Sequence, residues 1–260
     1  MFKLIVTDLD GTLLRGDKTI SDYTVKVLQK MKQRGVIVAF ATARGENACK
    51  RFTSLVKPDA LISSGGALVK YGQEEVARIT MAQDVSNELL KTLIEYKGVG
   101  RISADTESGH FVNRPVDESD PGWADYLPAQ YVDFKKGISF DSYKIQAEIF
   151  EDGLEKKIAD KFPSVDVIGF AGEKWVRFAD KAANKLEGIK SLAAHLNIDM
   201  KDVVAFGDDY NDIEMLGSCG TGIAVANAID EVKAAADEIC DTNDNDGVAK
   251  WLEENILSKE

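Results

Sequence analysis

The sequence predicts an α/β protein, a doubly wound, mostly parallel sheet with a Rossmann-like core into which an α+β domain is inserted. Three observations carry this. Apolar runs at Phe2-Lys3-Leu4-Ile5-Val6-Thr7, Val36-Ile37-Val38-Ala39-Phe40-Ala41 and Val203-Val204-Ala205-Phe206 each empty into a turn, as buried parallel strands do. Helical patterns separate such runs. From about Met81 to about Asp180 the texture changes to short strands and helices that carry most of the prolines. The expected organisation is a core of residues 1–80 and 181–260 with an inserted domain at 81–180.

Ser21 caps a helix over 22–34, with Val27, Leu28 and Met31 on one face and Gly35 as its stop. After the strand over 36–41 come a helix over 45–55 and a strand over 59–63. Residues 65–72 read as one arm of a hairpin and 76–80 as its return. In the insertion, Leu89, Leu90, Leu93, Ile94 and Tyr96 support a helix, and 144–150 alternates polar and apolar as a half-buried strand does. A helix over 154–162 and strands over 165–168 and 175–178 follow. The doubly wound pattern resumes with a helix over 184–196, the strand from Val203, a helix after Asn211, a strand over 223–225 and a C-terminal helix ending near Ile256.

At 260 residues, one large or two smaller domains are the natural options. A net charge of -12 and a sequence pI near 4.8 disfavour nonspecific binding to nucleic acid or to an anionic membrane. Cys49, Cys219 and Cys240 have no C-x-x-C spacing, which suits buried thiols in a reducing cytoplasm better than a disulfide framework or a zinc site. No signal-peptide pattern or membrane-length apolar run is evident, so a cytoplasmic location without an obligate protein partner is expected.

Chemistry concentrates at the strand ends, where ligands bind in such sheets. Asp8 and Asp10, in Asp8-Leu9-Asp10-Gly11-Thr12, stand at i and i+2 and point to roughly one side. They repel unless a proton or a cation relieves them, and Mg2+ is the simplest relief. Thr42-Ala43-Arg44-Gly45 offers small residues whose N–H groups can approach an anion, with the Thr42 hydroxyl beside them. Lys185 opens an amphipathic helix, with Lys181 and Lys190 as competitors for its role. Gly207-Asp208-Asp209-Tyr210-Asn211-Asp212 crowds three carboxylates and an amide at a third strand end, a costly arrangement without a metal.

In this order the segments resemble the haloacid dehalogenase superfamily, specifically its Cof-type sugar-phosphatase branch, whose motifs are DxDGT, a Thr-Gly-Arg-like turn, a lysine and GDxxND. The resemblance runs from residue 8 to residue 212. Ala43 departs from the usual glycine, and Leu186 stands where a glycine commonly follows the lysine.

The resemblance implies a Mg2+-dependent phosphatase acting on small phosphorylated metabolites, foremost sugar phosphates, with 81–180 as a cap over the catalytic face. It makes Asp8 the nucleophile that becomes an aspartyl phosphate and Asp10 the general acid and then base. Asp8 held ionised by metal and Asp10 freer to carry a proton would divide these roles. Asp8, the Asp10 backbone carbonyl and Asp208 would hold Mg2+, with Asp212 orienting Lys185 or a metal-bound water. Thr42, the Ala43 amide, Lys185 and Asn211 would hold phosphoryl oxygens. Arg44, His110 and Arg177 are candidate substrate contacts, and Arg114, Trp123, Tyr126 and Trp175 are further ones.

Two alternatives stand beside this. A phosphomutase or phosphotransferase would use the same nucleophile with an acceptor alcohol. A noncatalytic phosphate-metabolite sensor would keep the fold, although Asp8, Asp10, Lys185 and Asp208 would then repel and constrain one another to no purpose. Thr242, Asp244, Asp246, Gly247 and Glu253 fall near the spacing of an EF-hand loop, but threonine is wrong at the first ligand position. Asp246-Gly247 reads better as a helix cap.

Overall fold

Leu4–Thr7 (β1) is buried along its whole length, as a strand covered on both faces of a parallel sheet must be. The computed structural model describes residues 2–117, 119, 126 and 128–258. These form two compact units, Met1–Ala77 with Asn184–Glu260, and Arg78–Ala183.

In chain order β1 is followed by α1 (Asp22–Gln33), β2 (Ile37–Ala41), α2 (Glu46–Val56), β3 (Ala60–Ser63), β4 (Leu68–Tyr71) and β5 (Glu74–Arg78). The second unit contains α3 (Gln83–Glu95), β6 (Val99–Thr106), β7 (Gly109–Val112), β8 (Ala129–Tyr131), β9 (Ser142–Ile149), α4 (Leu154–Ala159), β10 (Val165–Gly169) and β11 (Trp175–Asp180). The first unit resumes with α5 (Lys185–His195), β12 (Val203–Gly207), α6 (Ile213–Ser218), β13 (Thr221–Val225), α7 (Asp230–Ala235), β14 (Glu238–Cys240) and α8 (Gly247–Leu252), then a π-helical turn, Glu253–Leu257.

The first unit's sheet has the order β14-β13-β12-β1-β2-β3-β4-β5. All pairs from β14 to β3 are parallel, and β4 runs antiparallel to β3. Leu4 lies opposite both Val203 and Ile37, so β1, β12 and β2 end side by side. That register delivers Asp8, Asp208 and Thr42 to one edge of the sheet. α1 packs with α2 and α8, while α6 packs with α5 and α7, giving a helical layer on each face. Leu4, Val6, Phe40, Val204 and Phe206 are withdrawn from water in one continuous core, each apolar side chain stabilising by roughly 1.5–3 kcal/mol.

Local chemistry explains the element ends. The Ser21 hydroxyl accepts the Thr24 N–H at 3.0 Å and starts α1. Residues 65–72, read from sequence as one hairpin arm, instead begin as a 3-10 turn, Ser64–Gly66, before β4. Gly66 has φ +103°, and a Cβ there would lie 2.0 Å from the Asn184 carbonyl oxygen. The turn therefore lets the start of α5 come down onto backbone, which no other residue type would allow.

The second unit is a six-stranded sheet of order β10-β11-β9-β6-β7-β8, antiparallel except where β8 joins β7. Leu89 and Leu93 of α3 cover one face with Ile102, Ala104, Ile145, Ala147 and Phe178. The alternation expected for 144–150 holds from Ile145 to Phe150, while Lys144, on the opposite face, is the exception and is buried. Its charge is paired rather than solvated. Cross-strand partners place Asp105 opposite both His110 and Lys144, and Gln146 opposite both Ser103 and Arg177, making a polar row on that face. Trp123 lies outside the described residues. Among the described residues no helix is long and apolar enough to cross a membrane.

Candidate active site

At the end of β1, the Asp8 N–H donates to the Phe206 carbonyl at 3.0 Å, and only 5% of the residue meets solvent. The chain then closes a tight turn. The N–H groups of Leu13 and Leu14 donate to the Leu9 carbonyl at 3.1 and 2.8 Å. Gly11 carries φ +78°, and a Cβ on it would lie 2.2 Å from Asp208 Oδ2. Glycine thus supplies both the left-handed backbone and the space for the facing carboxylate. Thr12 Oγ1 donates to Asp208 Oδ1 at 2.5 Å, tying the first motif to the fourth.

Lys185 is the lysine that reaches this point. Asn184 caps α5 by accepting the Glu187 N–H at 2.9 Å, which puts Lys185 in the first turn, facing inward. Its Nζ donates to Asp8 Oδ1 and to Asp212 Oδ1, each at 2.6 Å. Lys181 is exposed, and Lys190 pairs with Glu187 at 2.7 Å. Asp212 spends its other oxygen on the N–H groups of Asp208 and Asp209, at 3.0 and 3.2 Å. Asp209 caps the turn Tyr210–Asp212, so one acid of the fourth motif serves local structure.

Charge decides what the site can hold. One carboxylate oxygen from each of Asp8, Asp208 and Asp212 falls within 4.8 Å of the others, and among the described residues Lys185 is the one ammonium bonded to them. Burial would depress the Lys185 pKa, but Asp212 and Asp8 outweigh it and hold the ammonium above the usual lysine range. Burial pushes Asp8 well up, with Asp212, Asp208 and Asp10 adding to it against Lys185. Asp208 rises from 3.8 to about 7, through burial and then Asp212, against the Thr12 hydrogen bond and Lys185. The cluster thus has negative charge that a proton or a cation must offset, and this donor set of hard oxygens suits a divalent ion such as Mg2+. The buried, unpartnered Oδ1 of Asn211, in the same motif, fits a ligand as well.

Asp10 differs from expectation. Instead of being free to carry a proton, it is gripped by Arg44, with Nε to Oδ2 at 2.6 Å and Nη2 to Oδ1 at 2.8 Å, and by Lys18 Nζ at 2.9 Å. Burial alone would raise its pKa, but Arg44 and then Lys18 outweigh this and lower it to about 2. Among the protein's own charges, two cations sit on Asp10 while Asp8 shares one lysine with other acids, which lowers Asp10 and leaves Asp8 raised. Lys18 escapes sequence reading, since a lysine in an exposed turn resembles any solvated charge. Its φ of 61° is a backbone signal that sequence does not display. Arg44, a candidate substrate contact, is buried in this grip.

Thr42 is buried at the end of β2, its Oγ1 accepting the Arg44 N–H at 3.1 Å, and Ala43 stands between them in the turn. Asp8, Asp10, Thr42, Ala43, Arg44, Lys185, Asp208, Asn211 and Asp212 all belong to the first unit. His110 and Arg177 belong to the second. His110 Nδ1 meets Asp105 Oδ1 at 2.5 Å, Lys144 Nζ meets Asp105 Oδ2 at 3.2 Å, and His110 Nε2 is buried without a partner. Arg177 is fully buried with Nη1 donating to the Ala183 carbonyl at 2.9 Å, and burial lowers its pKa to about 10.

The Asp208 shift has a sign that can be measured. Its folded pKa of about 7 lies above 3.8, so its contribution to stability is full below 3.8 and is lost as pH rises through about 7. In EDTA, the urea midpoint of the wild type should therefore fall between about pH 4 and pH 7 relative to that of Asp208→Asn. Parallel profiles would contradict the assignment.

Comparison with known proteins agrees with this geometry. The family model for haloacid dehalogenase-like hydrolases matches residues 5–252. The chain is 28% identical to the 5-amino-6-(5-phospho-D-ribitylamino)uracil phosphatase YcsE of Bacillus subtilis, over 98% of this chain and 96% of that one. It is also 28% identical to the phosphoglycolate phosphatase of Methanopyrus kandleri, over 97% and 96% of the two chains. Its fold superposes on the HAD subclass IIB sugar phosphatase BT4131 with a TM-score of 0.85 at 24% identity, covering 97% of this chain and 98% of the other. By motif, family model and fold together, the chain belongs to the haloacid dehalogenase-like hydrolases, as a phosphoric monoester hydrolase with the fold of the Cof-type branch.

Proposed function

We propose that this enzyme is a Mg2+-dependent phosphatase that hydrolyses small phosphorylated metabolites, sugar phosphates foremost, through an aspartyl phosphate on Asp8. The observation that carries the proposal is the buried Asp8 fixed by Lys185 among carboxylates that one ammonium cannot neutralise. Asp8, Asp208 and the backbone carbonyl of Asp10 are the groups that would hold Mg2+. Bound there, the ion would offset carboxylate and phosphoryl charge.

In the first step an Asp8 oxygen bonds to phosphorus, the bond from phosphorus to the ester oxygen breaks, and Asp10 protonates the departing alkoxide. In the second, water attacks the aspartyl phosphate, Asp10 takes its proton, and the acyl–phosphate bond breaks to regenerate Asp8 and release phosphate. The base role suits Asp10 as Arg44 and Lys18 hold it, ionised. The acid role requires that grip to loosen when substrate binds. Lys185, Asn211, Thr42 and the Ala43 amide are assigned to the phosphoryl oxygens, where fixed donors meet charge as it develops.

Asp8→Asn should lower kcat by at least ~1,000-fold while the far-UV spectrum stays that of a folded protein, because no neighbouring group replaces a covalent nucleophile. Excess EDTA should abolish hydrolysis and Mg2+ should restore it. Wild-type turnover by a folded Asp8→Asn protein, or full activity in EDTA, would reject the mechanism.

Residues 81–180 are assigned the role of a cap that selects the leaving group. Their insertion between the second and third motifs supports this, as does the polar row on the sheet of the second unit. His110 is the first candidate for contact, with its Nδ1 fixed on Asp105 and its buried Nε2 without a partner. Arg177 is assigned instead to fastening the chain where it leaves β11. His110→Ala should reorder kcat/KM among sugar phosphates while leaving p-nitrophenyl phosphate hydrolysis nearly unchanged, since an activated aryl ester needs little recognition. Uniform losses across all substrates, or none, would remove His110 from specificity.

A further inference from the structure

The turn after Asp10 is held by residues outside the four motifs. Asn227, just beyond β13, donates from Nδ2 to the Gly11 carbonyl at 2.7 Å. Its Oδ1 accepts the Asn243 N–H at 2.9 Å. The backbone donor can only donate, so this bond fixes which way the Asn227 amide faces and commits Nδ2 to Gly11. Asn243, itself buried, donates from Nδ2 to the Leu14 carbonyl at 2.8 Å. Further along, Asp244 accepts the Gly16 N–H at 2.8 Å, and Asp246 accepts from Arg15 at 2.7 Å and from Thr24 at 3.2 Å. The acidic segment near EF-hand spacing is thus bonded to the loop that carries Asp10 and Lys18. Asp246 stands at the start of α8, but its carboxylate goes to Arg15 and Thr24 rather than capping the helix.

Gly11 explains why such a hold is needed. A side chain there would collide with Asp208, so glycine is obligatory, and glycine is also the residue whose flanking peptides rotate most freely. The Gly11 carbonyl and the Thr12 N–H share one rigid peptide plane. Pinning the carbonyl therefore sets the direction in which Thr12 leaves, and with it the Thr12 hydroxyl on Asp208.

We propose that Asn227, oriented by Asn243, is a positioning residue that locks the Gly11–Thr12 peptide and so holds Asp10 and Thr12 in the arrangement the catalytic unit uses. This rests on the phosphatase reading for its kinetic consequence but not for its structural one. Asn227→Asp is the discriminating variant. It is isosteric, it keeps an acceptor for Asn243, and it turns a carboxylate oxygen toward the Gly11 carbonyl where a donor had been.

The experiment pairs hydrogen exchange of peptides covering residues 9–18, in wild type and in Asn227→Asp, with kcat and KM on p-nitrophenyl phosphate under saturating Mg2+. The expected result is faster exchange confined to 9–18 and a kcat lower on the order of tenfold, the scale of one directed hydrogen bond lost, with KM little changed. Unchanged exchange would overturn the proposal whether or not the protein turns over any ester. Faster exchange with wild-type kcat would overturn the positioning role and leave a loop tether. A wild type that hydrolyses nothing would instead count against the phosphatase reading, and exchange alone would then decide the lock.

Discussion

One buried ammonium, Lys185, lies between Asp8 and Asp212, and the arrangement of the catalytic unit depends on it. Removing one partner of such a buried pair typically costs about 3–5 kcal/mol, because the remaining charge is stranded. Here the constraint is tighter still, since Asp212 also binds the backbone N–H groups of Asp208 and Asp209. Asp8, Lys185 and the fourth-motif turn are consequently fixed as a unit. Gly207 permits it, for a Cβ there would lie 2.5 Å from that of Asp212.

The sheet exists to make that unit possible. β1, β2 and β12 end side by side because their parallel registers agree, and the glycine turn at Ser64–Gly66 admits α5 at the height where Lys185 meets Asp8. Leu4, Phe40 and Phe206, buried in one core, hold those strand ends. What results is over-supplied with negative charge, a condition that favours a divalent cation and an anionic ester together rather than either alone.

Much of this was legible in the sequence because strong physical requirements leave strong patterns. Parallel strands buried on both faces read as apolar runs, and acids gathered at two neighbouring strand ends have few purposes other than chemistry. Lys185 stood out from Lys181 and Lys190 only through its place at a helix start. Less legible were β6 and β7, where Asp105 and His110 pair across the sheet instead of alternating toward water. Lys144 is the instructive case, since its charge suggests a solvated face and its burial is explained by Asp105 and Gln146. The grip of Arg44 and Lys18 on Asp10 was hidden too, because an ion pair between distant positions leaves no periodicity. Asn227 and Asn243 were invisible for the same reason.

The central claim is that Asp8 becomes covalently phosphorylated. Rapid quenching of the enzyme during turnover, followed by borohydride reduction and peptide mass mapping, tests it most directly, since an acyl phosphate is reduced to the alcohol. The account predicts homoserine at position 8 and at no other aspartate. Reduction at a different residue, or none while single-turnover hydrolysis proceeds, would contradict it.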